Sequence, residues 1–319
     1  MKGLFRRFTR MSALALGLSA AISVVALQLP SMAQVASTPH QVSVKSASKE
    51  LKPKLPFGVY DPHGGFRRET GVAIEHVFLP WQDVDVQSLY SADSYAAERG
   101  RDMLVTIEPW SWSPEKRISR EALASGTIEG KFDGNIRNVC GTIGKLRSRV
   151  TIRWAHEMDD TSGRYTWSLW EPQDYIRAYR HFVDVCRSEA PNASYMWSPK
   201  GEKTLNAFYP GDEYVDVIGL SIFGLQEYDV DKFGRNRSFE ETLHASYDRV
   251  TAYKKPIYVA ELGFLGDDEY LRSWSNSVAS AGENFPGLKA ILYFNEVETH
   301  PWPEDYGRPD WRIEPDLMK

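Results

Sequence analysis

The sequence lacks the pair of histidines that a helical zinc site requires. The stretch VTIRWAHEMDD, residues 150–160, has Glu directly after His156, as in the metalloprotease pattern His-Glu-x-x-His. The place of the second histidine is taken by Asp160, so this pair of metal ligands cannot form. No pair at ligand spacing exists among the other candidates, His63, His76 and His300. We therefore expect a site without a metal ion or other cofactor.

Two further absences argue against nucleotide cofactors and nucleic acid. An open Rossmann sheet usually carries Gly-x-Gly-x-x-Gly after its first strand, and DPHGG at residues 61–65 matches this pattern poorly. Positive charge is also scarce, since 38 Lys and Arg against 43 Asp and Glu give a net charge of -5, with no basic patch. This balance argues against nucleic acid and anionic membrane surfaces as partners.

Only one apolar run approaches the length of a membrane span. It covers about residues 11–29, follows four basic residues and precedes SMA at residues 31–33. This order predicts a secretory signal peptide over residues 1–33. An uncleaved anchor is the alternative, because the run approaches the roughly 20 residues that span a bilayer. We favour cleavage and expect a periplasmic or secreted protein without membrane contact.

The rest of the chain divides into a short linker and one domain. Residues 34–54 are rich in Ser, Val, Lys, Gln and Pro and show no clear period, which predicts a flexible linker. Residues 55–319 are close in number to the ~250 of a single (β/α)8 barrel. We expect this domain to be a monomer.

Cysteine is scarce, with only Cys140 and Cys186 in the whole chain. Each lies in a predicted helix, and the two helices are expected to be neighbours. An exported location permits a disulfide between them, and two buried free thiols are equally ordinary. The sequence leaves both possibilities open.

Eight short apolar runs alternate with segments of helical periodicity. Near-continuous apolar strands separated by helices predict a parallel sheet that is covered on its outer face. Eight such units favour a closed TIM barrel over an open doubly wound sheet. Predicted helix starts include Pro172, Asp267 and a capping box formed by Ser238 and Glu241. The runs are LPFGVYD (55–61), IEHVFLPW (74–81), DMLVTIEPW (102–110), RVTIRWAHE (149–157), SYMWSP (194–199), VDVIGLSIF (215–223), PIYVAELGF (256–264) and LKAILYFNE (288–296).

Several predicted strands end in carboxylates and indoles. Active sites of such barrels lie at the carboxyl ends of the strands. Carboxylates there supply acid and base chemistry, and flat aromatic faces stack on sugar rings, so the pattern predicts a carbohydrate cleft. Glu157 closes the predicted fourth strand and Glu261 the seventh. Two carboxyl groups about 5–5.5 Å apart would suit a retaining glycosidase, and a wider gap an inverting one.

Two motifs resemble glycoside hydrolase family 26: RWAHEMD, in which an acid follows His156, and YVAELGF on the seventh strand. The order FGVYDP, EHVFLPWQ, WAHEMD, YVDVIGLSIFG, VAELG, YFNE resembles a branch associated with bacterial exopolysaccharide and β-glucan systems, over about residues 55–312. The resemblance implies a retaining (β/α)8 glycosidase with Glu157 as acid/base and Glu261 as nucleophile. It also implies that His156 binds substrate or positions a carboxylate; a hydrogen-bonded core histidine is the alternative.

Other residues are expected to support this pair. Arg153, at the same strand parity as Glu157, would point into the barrel and either keep one carboxylate ionised or pair with a structural acid such as Glu108. Trp154, Trp170, Trp274 and Trp311 are assigned to packing. Any of the candidate sugar platforms could instead be packing residues; they are Trp110, Trp197 and Trp302, with Trp81 and Asn295 as weaker candidates.

The sequence departs from the mannanases of that family at two positions. Those enzymes carry Asn where this chain has Asp159, and a tyrosine that hydrogen-bonds the nucleophile where it has Phe223. A phenyl ring cannot donate that hydrogen bond, so Glu261 must be held by Tyr293, Ser221 or Arg153. The expected activity is a retaining endo-β-glycosidase acting on a bacterial or plant polysaccharide, with exopolysaccharide or β-glucan favoured and β-1,4-mannan possible. The alternatives are a non-catalytic polysaccharide-binding barrel and a transglycosylase in exopolysaccharide assembly.

Overall fold

The apolar runs form eight parallel strands in the computed structural model, which describes residues 55–313. Each strand pairs in parallel with the next, and β8 pairs with β1, so the sheet closes into a barrel. The predicted (β/α)8 architecture is confirmed. The strands are β1 Phe57–Tyr60, β2 Val72–Pro80, β3 Asp102–Glu108, β4 Val150–Trp154, β5 Ser194–Trp197, β6 Val217–Leu225, β7 Ile257–Leu265 and β8 Leu288–Phe294.

The helices between the strands are unevenly distributed. Two helices connect β3 to β4 and two connect β6 to β7, whereas the β1–β2 and β5–β6 connections contain only 3-10 turns. The helices are α1 Val86–Ala97, α2 Arg120–Ile128, α3 Asp133–Ile143, α4 Pro172–Glu189, α5 Gln226–Phe233, α6 Phe239–Val250 and α7 Asp268–Asn284.

The predicted helix starts are present. Pro172 occupies the first turn of α4, and the Asp267 carboxylate accepts a hydrogen bond from the Tyr270 N–H at 2.9 Å. Ser238 Oγ likewise accepts from the Glu241 N–H at 3.1 Å. The Glu241 carboxylate pairs with Arg235, and a hydrogen bond from the Ser238 backbone also contributes to its lowered pKa, as the predicted capping box requires.

The interior of the barrel changes from apolar to polar along the strands. Its lower layer is the buried cluster Ile74, Leu104, Met196, Val217, Ala260, Ala290 and Leu292. Because side chains alternate between the faces of a strand, the residues two positions further along β2 and β3 face the same interior. These are His76 and Thr106, whose Nε2 and Oγ1 atoms lie 2.8 Å apart. Hydrogen-bonding side chains therefore line the barrel beneath its carboxyl end.

A disulfide between Cys140 on α3 and Cys186 on α4 resolves the alternatives that the sequence left open. Both cysteines are fully buried among apolar side chains. The bridge joins two adjacent helices on the outside of the barrel and closes a loop of 46 residues in sequence separation. It therefore restricts the unfolded chain more than a local crosslink would.

Replacing both cysteines by serine is expected to lower the free energy of unfolding by about 2–4 kcal/mol, because the unfolded chain regains the entropy of an open loop. Denaturant titration of the oxidised protein, the reduced protein and the double variant measures this difference. Oxidised and reduced wild-type protein with equal midpoints would contradict the expectation. The double variant also serves as a control. The chain has no other cysteine, so a reductant should not change the unfolding midpoint of this variant.

The predicted signal peptide (1–33) and linker (34–54) lie outside the described residues. Within residues 55–313, no helix has both the length and the apolar character needed to cross a membrane.

Candidate active site

Glu157 lies in a tight turn after β4, and not within the strand as the apolar run suggested. The strand ends at Trp154, and two residues of the turn have left-handed backbone conformations, Ala155 with φ 46° and Glu157 with φ 54°. Such conformations cost about 1–3 kcal/mol for residues with side chains and persist only where neighbours hold them. Here the Ala155 N–H donates to the Ile107 carbonyl at 3.2 Å and the Glu157 N–H donates to the Ser198 carbonyl at 2.7 Å. The turn therefore gives the Glu157 carboxylate a direction that it would not have in a continued strand.

Glu261 lies inside β7, which continues to Leu265, and not at its end. The pairing register shifts on both sides of it, between Leu220 and Ser221 on β6 and between Val259 and Leu262 against β8. Such irregularities re-aim side chains. They allow Glu261 to face the barrel interior directly after Ala260, which belongs to the interior apolar layer.

Arg153 binds Glu261 directly and is linked to the Glu157 turn through Ser198. Its side chain is 0% exposed, and Nη1 donates to Glu261 Oε1 at 2.5 Å. Nε donates to Ser198 Oγ at 2.8 Å and Nη2 to Ser221 Oγ at 3.3 Å. Ser198 also supplies the carbonyl that holds Glu157, so one residue fixes both halves of the site. Of the two partners expected for Arg153, the structure selects Glu261 and not Glu108.

The electrostatics of Glu261 reflect opposed influences. Burial raises its pKa to about 7; the positive charge and hydrogen bond of Arg153 oppose this, and the negative charge of Glu157 adds to it. The charge of Arg164 opposes it further. A carboxylate in this environment is anionic above neutral pH and close enough to Glu157 to sense its charge.

Phe223 occupies the position where the resembled mannanases have tyrosine. Its ring cannot donate a hydrogen bond to Glu261, which is held by Arg153 instead. Its ring lies over Gly263, where an added Cβ would come within 2.8 Å of it. Tyr293 is not the replacement, because its hydroxyl donates to the Trp311 carbonyl at 2.8 Å. Asp159, the other departure, accepts hydrogen bonds from three consecutive backbone N–H groups, those of Lys200, Gly201 and Glu202. It ties the turn after β4 to the loop after β5.

His156 is buried beside the turn, with Nε2 3.0 Å from the hydroxyl of Tyr165. Burial lowers its pKa well below the usual range, so the ring is neutral near pH 7. Its Nδ1 has no hydrogen-bond partner among the described residues. The sequence reasoning missed Tyr165, although its place nine residues after His156 in an aromatic segment is a signal.

Glu108 at the end of β3 holds two indoles and does not pair with Arg153. Its Oε2 accepts from Trp110 Nε1 at 3.0 Å and from Trp112 Nε1 at 2.5 Å. Trp110 is only 4% exposed, and the Arg117 guanidinium covers its ring at 3.6 Å. Trp112 is 51% exposed. Trp112, and not Trp110, therefore offers the exposed ring that was expected at this strand end. Trp112 was not among the predicted candidates, although it lies two residues after Trp110.

The structure corrects three other predicted substrate-binding residues, of which two are tryptophans. Trp81 is 1% exposed and packs on Phe132 and Trp154, while Trp197 is 0% exposed and packs on Tyr209 and Tyr253. Neither presents a ring face to a ligand.

Asn295 is the third corrected candidate. Its amide donates to Asp61 and accepts from the Ile313 N–H, which uses both of its polar groups inside the protein. Trp302 is half-buried beside Phe223 and stays a candidate. The tryptophans assigned to packing are buried, namely Trp154, Trp170, Trp274 and Trp311.

No three His, Cys, Asp or Glu side chains within residues 55–313 converge in an arrangement that could hold a metal ion. The chemistry available in the described site is that of two electrostatically interacting carboxylates, a buried arginine and an exposed indole.

Comparison with known proteins adds a family to this geometry. The model of Glycosyl hydrolase family 26 matches residues 122–263, which include both Glu157 and Glu261. The match covers 142 of the 319 residues and indicates similarity to this family over that part of the chain. The resemblance to this family is thereby confirmed, and the barrel agrees with solved family 26 structures. A β-mannanase from Bacteroides ovatus has a TM-score of 0.58 at 15% identity, with 86% of this chain and 88% of that chain covered.

Curated relatives match only part of this chain, and the match covers an even smaller part of their own length. A β-1,3-xylanase from Vibrio sp is 24% identical over 151 residues, which cover 45% of this chain and 30% of the relative. A mannan endo-1,4-β-mannosidase from Bacillus subtilis (strain 168) is 24% identical over 163 residues, covering 45% and 40% respectively. The chain spans less than half the length of these relatives.

Proposed function

We propose that this chain is a retaining endo-β-glycosidase. One observation carries the proposal: a buried carboxylate, Glu261, is held by Arg153 within the electrostatic field of a second carboxylate, Glu157, at the carboxyl face of a (β/α)8 barrel. The match of residues 122–263 to the glycosyl hydrolase family 26 model supports it.

In the first step, Glu157 protonates the glycosidic oxygen as the bond to the anomeric carbon breaks. Glu261 attacks that carbon from the opposite side and forms a covalent glycosyl-enzyme. The Arg153 hydrogen bond orients the attacking carboxylate and stabilises its anionic form. In the second step, Glu157 removes a proton from a water molecule, which attacks the same carbon and releases Glu261 with the configuration retained.

The substrate class is proposed as a β-glycan polysaccharide. Curated relatives include β-1,3-xylanases and mannan endo-1,4-β-mannosidases, which differ in both sugar and linkage. The departures at Asp159 and Phe223 favour an exopolysaccharide or β-glucan over β-1,4-mannan. We further propose that the protein acts as a monomer in the periplasm or outside the cell, on the basis of its N-terminal sequence and the absence of a basic patch.

Stereochemistry and product size test the proposal directly. Purified protein is incubated with β-1,3-glucan, β-1,4-glucan, β-1,3-xylan and β-1,4-mannan, and the first anomeric proton signals are followed by NMR. We expect at least one glycan to yield β-anomers first, with internal cleavage giving a ladder of oligosaccharides. Initial α-anomers would contradict the retaining mechanism.

The same incubations separate the two alternatives. Products longer than the starting oligosaccharides in mass spectrometry would favour the transglycosylase. Binding without turnover of any glycan would favour the non-catalytic barrel.

A further inference from the structure

Two arginines lie over neighbouring aromatic rings beside the acid-bearing turn. The Arg117 Cζ lies 3.6 Å from the centroid of the Trp110 ring, and the Arg164 Cζ lies 5.1 Å from that of Tyr165. The two ring centroids are 5.8 Å apart. Arg117 is further fixed by a hydrogen bond from Nε to the Ser111 carbonyl at 3.0 Å. Because Tyr165 also contacts His156, these guanidinium groups adjoin the proposed acid/base.

A third arginine, Arg308, lies in the segment after β8 that contacts the ion-pair partner of Arg164. Arg164 Nη2 donates to Glu298 Oε1 at 2.7 Å, and the Glu298 N–H donates to the Pro309 carbonyl at 2.9 Å. Arg308 directly precedes Pro309, so its backbone lies beside Glu298. We call Arg117, Arg164 and Arg308 the arginine cluster.

The electrostatic influences on His300, two residues after Glu298, agree with this placement of Arg308. Burial lowers the pKa of His300, and the positive charges of Arg164, Arg117 and Arg308 each lower it further, against the opposing charge of Glu298. All three members of the arginine cluster therefore act on one point at the carboxyl face.

The positive charge of the arginine cluster is only partly balanced. Within residues 55–313, Arg164 pairs with Glu298, whereas no carboxylate lies within ion-pair distance of Arg117 or Arg308. Arg164 Nε is buried and has no hydrogen-bond partner among the described residues. The neighbouring acid, Glu108, accepts hydrogen bonds from two indoles; burial raises its pKa, and the charges of Arg164 and Arg117 oppose that rise. Arg164 also lies in the field of Glu157 and Glu261, so Arg117 and Arg308 are the members of the cluster without a direct carboxylate contact among the described residues.

Trp112 supplies a second, independent sign of a ligand at this place. Its indole is half exposed and is held in position by Glu108, the residue that also holds Trp110 under Arg117. An exposed, oriented indole stacks on a sugar ring, and a guanidinium group binds a carboxylate in bidentate fashion. A stacking surface and an anion-binding group therefore adjoin through Glu108 at the end of β3.

We propose that the cleft recognises an acidic β-glycan, in which a sugar bound next to the cleavage point carries a carboxylate that contacts the arginine cluster. This inference rests on the proposed glycosidase function and names its substrate class. It accounts for guanidinium groups that the catalytic steps do not use. Uncharged β-glycans would leave Arg117 and Arg308 without an anionic partner.

The test compares neutral oligosaccharides of β-1,3-glucan and β-1,4-glucan with the same oligosaccharides oxidised at C6 to glucuronate. We expect kcat/KM to be higher for the oxidised form of the cleaved glycan by about tenfold or more, as one or two charge-assisted hydrogen bonds would give. The preference should shrink between about 50 mM and about 500 mM NaCl, because salt screens exposed charges. Equal kcat/KM for both forms would overturn the inference.

Variants separate charge recognition from folding. In Arg308→Gln and Arg117→Gln the ratio of oxidised to neutral kcat/KM should fall towards one. Arg149→Gln is the matched control, because Arg149 is exposed and pairs with Asp102 at the opposite, amino end of the strands; its ratio should equal that of the wild type. An equal loss for both substrate forms in the Arg308 and Arg117 variants would assign these residues a structural role and overturn the inference.

A binding measurement distinguishes failure of this inference from failure of the proposed function. Calorimetry with the same oligosaccharides requires no turnover. If the protein cleaves neither form but binds the oxidised one more tightly, in an Arg308-dependent way, acidic recognition stands and the glycosidase proposal fails. If it cleaves neutral glycan with no charge preference in cleavage or binding, the glycosidase stands and acidic recognition fails.

Discussion

Replacement of Glu261 by alanine is expected to lower kcat/KM by about 10⁴-fold or more, or roughly 5 kcal/mol of transition-state stabilisation. The variant has no carboxylate to form the glycosyl-enzyme, and no other acid is held by Arg153 in the described structure. Initial rates on the glycan that the wild type cleaves best measure the effect. Activity within tenfold of the wild type would rule out Glu261 as nucleophile.

The stability of this variant needs its own check. Removing Glu261 leaves the fully buried Arg153 without its counter-ion, and an unpaired buried charge costs about 3–5 kcal/mol. Thermal unfolding followed by circular dichroism shows whether the barrel persists. Azide offers a second readout, because a small anion beside Arg153 can attack the anomeric carbon of an activated aryl β-glycoside and yield an α-glycosyl azide. Glu269→Ala, on the exposed first turn of α7, is the matched control and should retain full activity.

Replacement of Glu157 by glutamine is expected to slow hydrolysis of a natural glycan by about 10²- to 10⁴-fold, the usual contribution of a general acid. The loss in glycosyl-enzyme formation should be far smaller for an aryl β-glycoside whose leaving group departs without a proton. Pre-steady-state release of the aryl group measures that step. Equal losses on both substrates would contradict the assignment of Glu157 as the acid.

The pH dependence of the same variant tests the coupling between the two acids. Glu261 must be ionised to attack, and its pKa is raised to about 7, so wild-type kcat/KM should fall as the pH drops below about 7. Glu157 contributes to that rise through its negative charge. With a neutral glutamine there, the acid limb for an activated aryl glycoside should move to lower pH.

A matched control keeps the charge change but moves it away from the site. Glu171→Gln, an exposed position just before α4, should leave the acid limb where it is in the wild type. An acid limb that stays in place in the Glu157 variant, or moves to higher pH, would show that the two carboxylates do not interact as the structure indicates.

The order and direction of the strands could be predicted from the sequence because they depend on local patterns. Near-continuous apolar runs, separated by amphipathic segments with recognisable starts such as Pro172, predict parallel strands and covering helices. Eight such units close into a barrel, and its carboxyl face collects the residues at the strand ends. Glu157 and Glu261 were predicted as the candidate acids in this way.

Details that depend on side-chain direction were not predictable. Glu157 and Glu261 both lie where the strand pattern breaks, one in a left-handed turn and the other between register shifts. Trp81 and Trp197 also lie at strand ends, but they point outward into the packing between strands and helices. A position at a strand end therefore does not distinguish an indole in the cleft from one beneath a helix, and Trp112 became visible only through its exposure.

The sequence by itself determined the element types, their order and the family motifs, and it indicated the two candidate acids, because each of these rests on residues that are close together in the chain. Only the tertiary structure decided which distant charges meet. Arg153 and Glu261 are 108 residues apart, and Arg164 and Glu298 are 134 apart. Their partners follow from the closure of the barrel and from burial, which makes an unpaired charge costly and so selects one arrangement among many that the sequence allows.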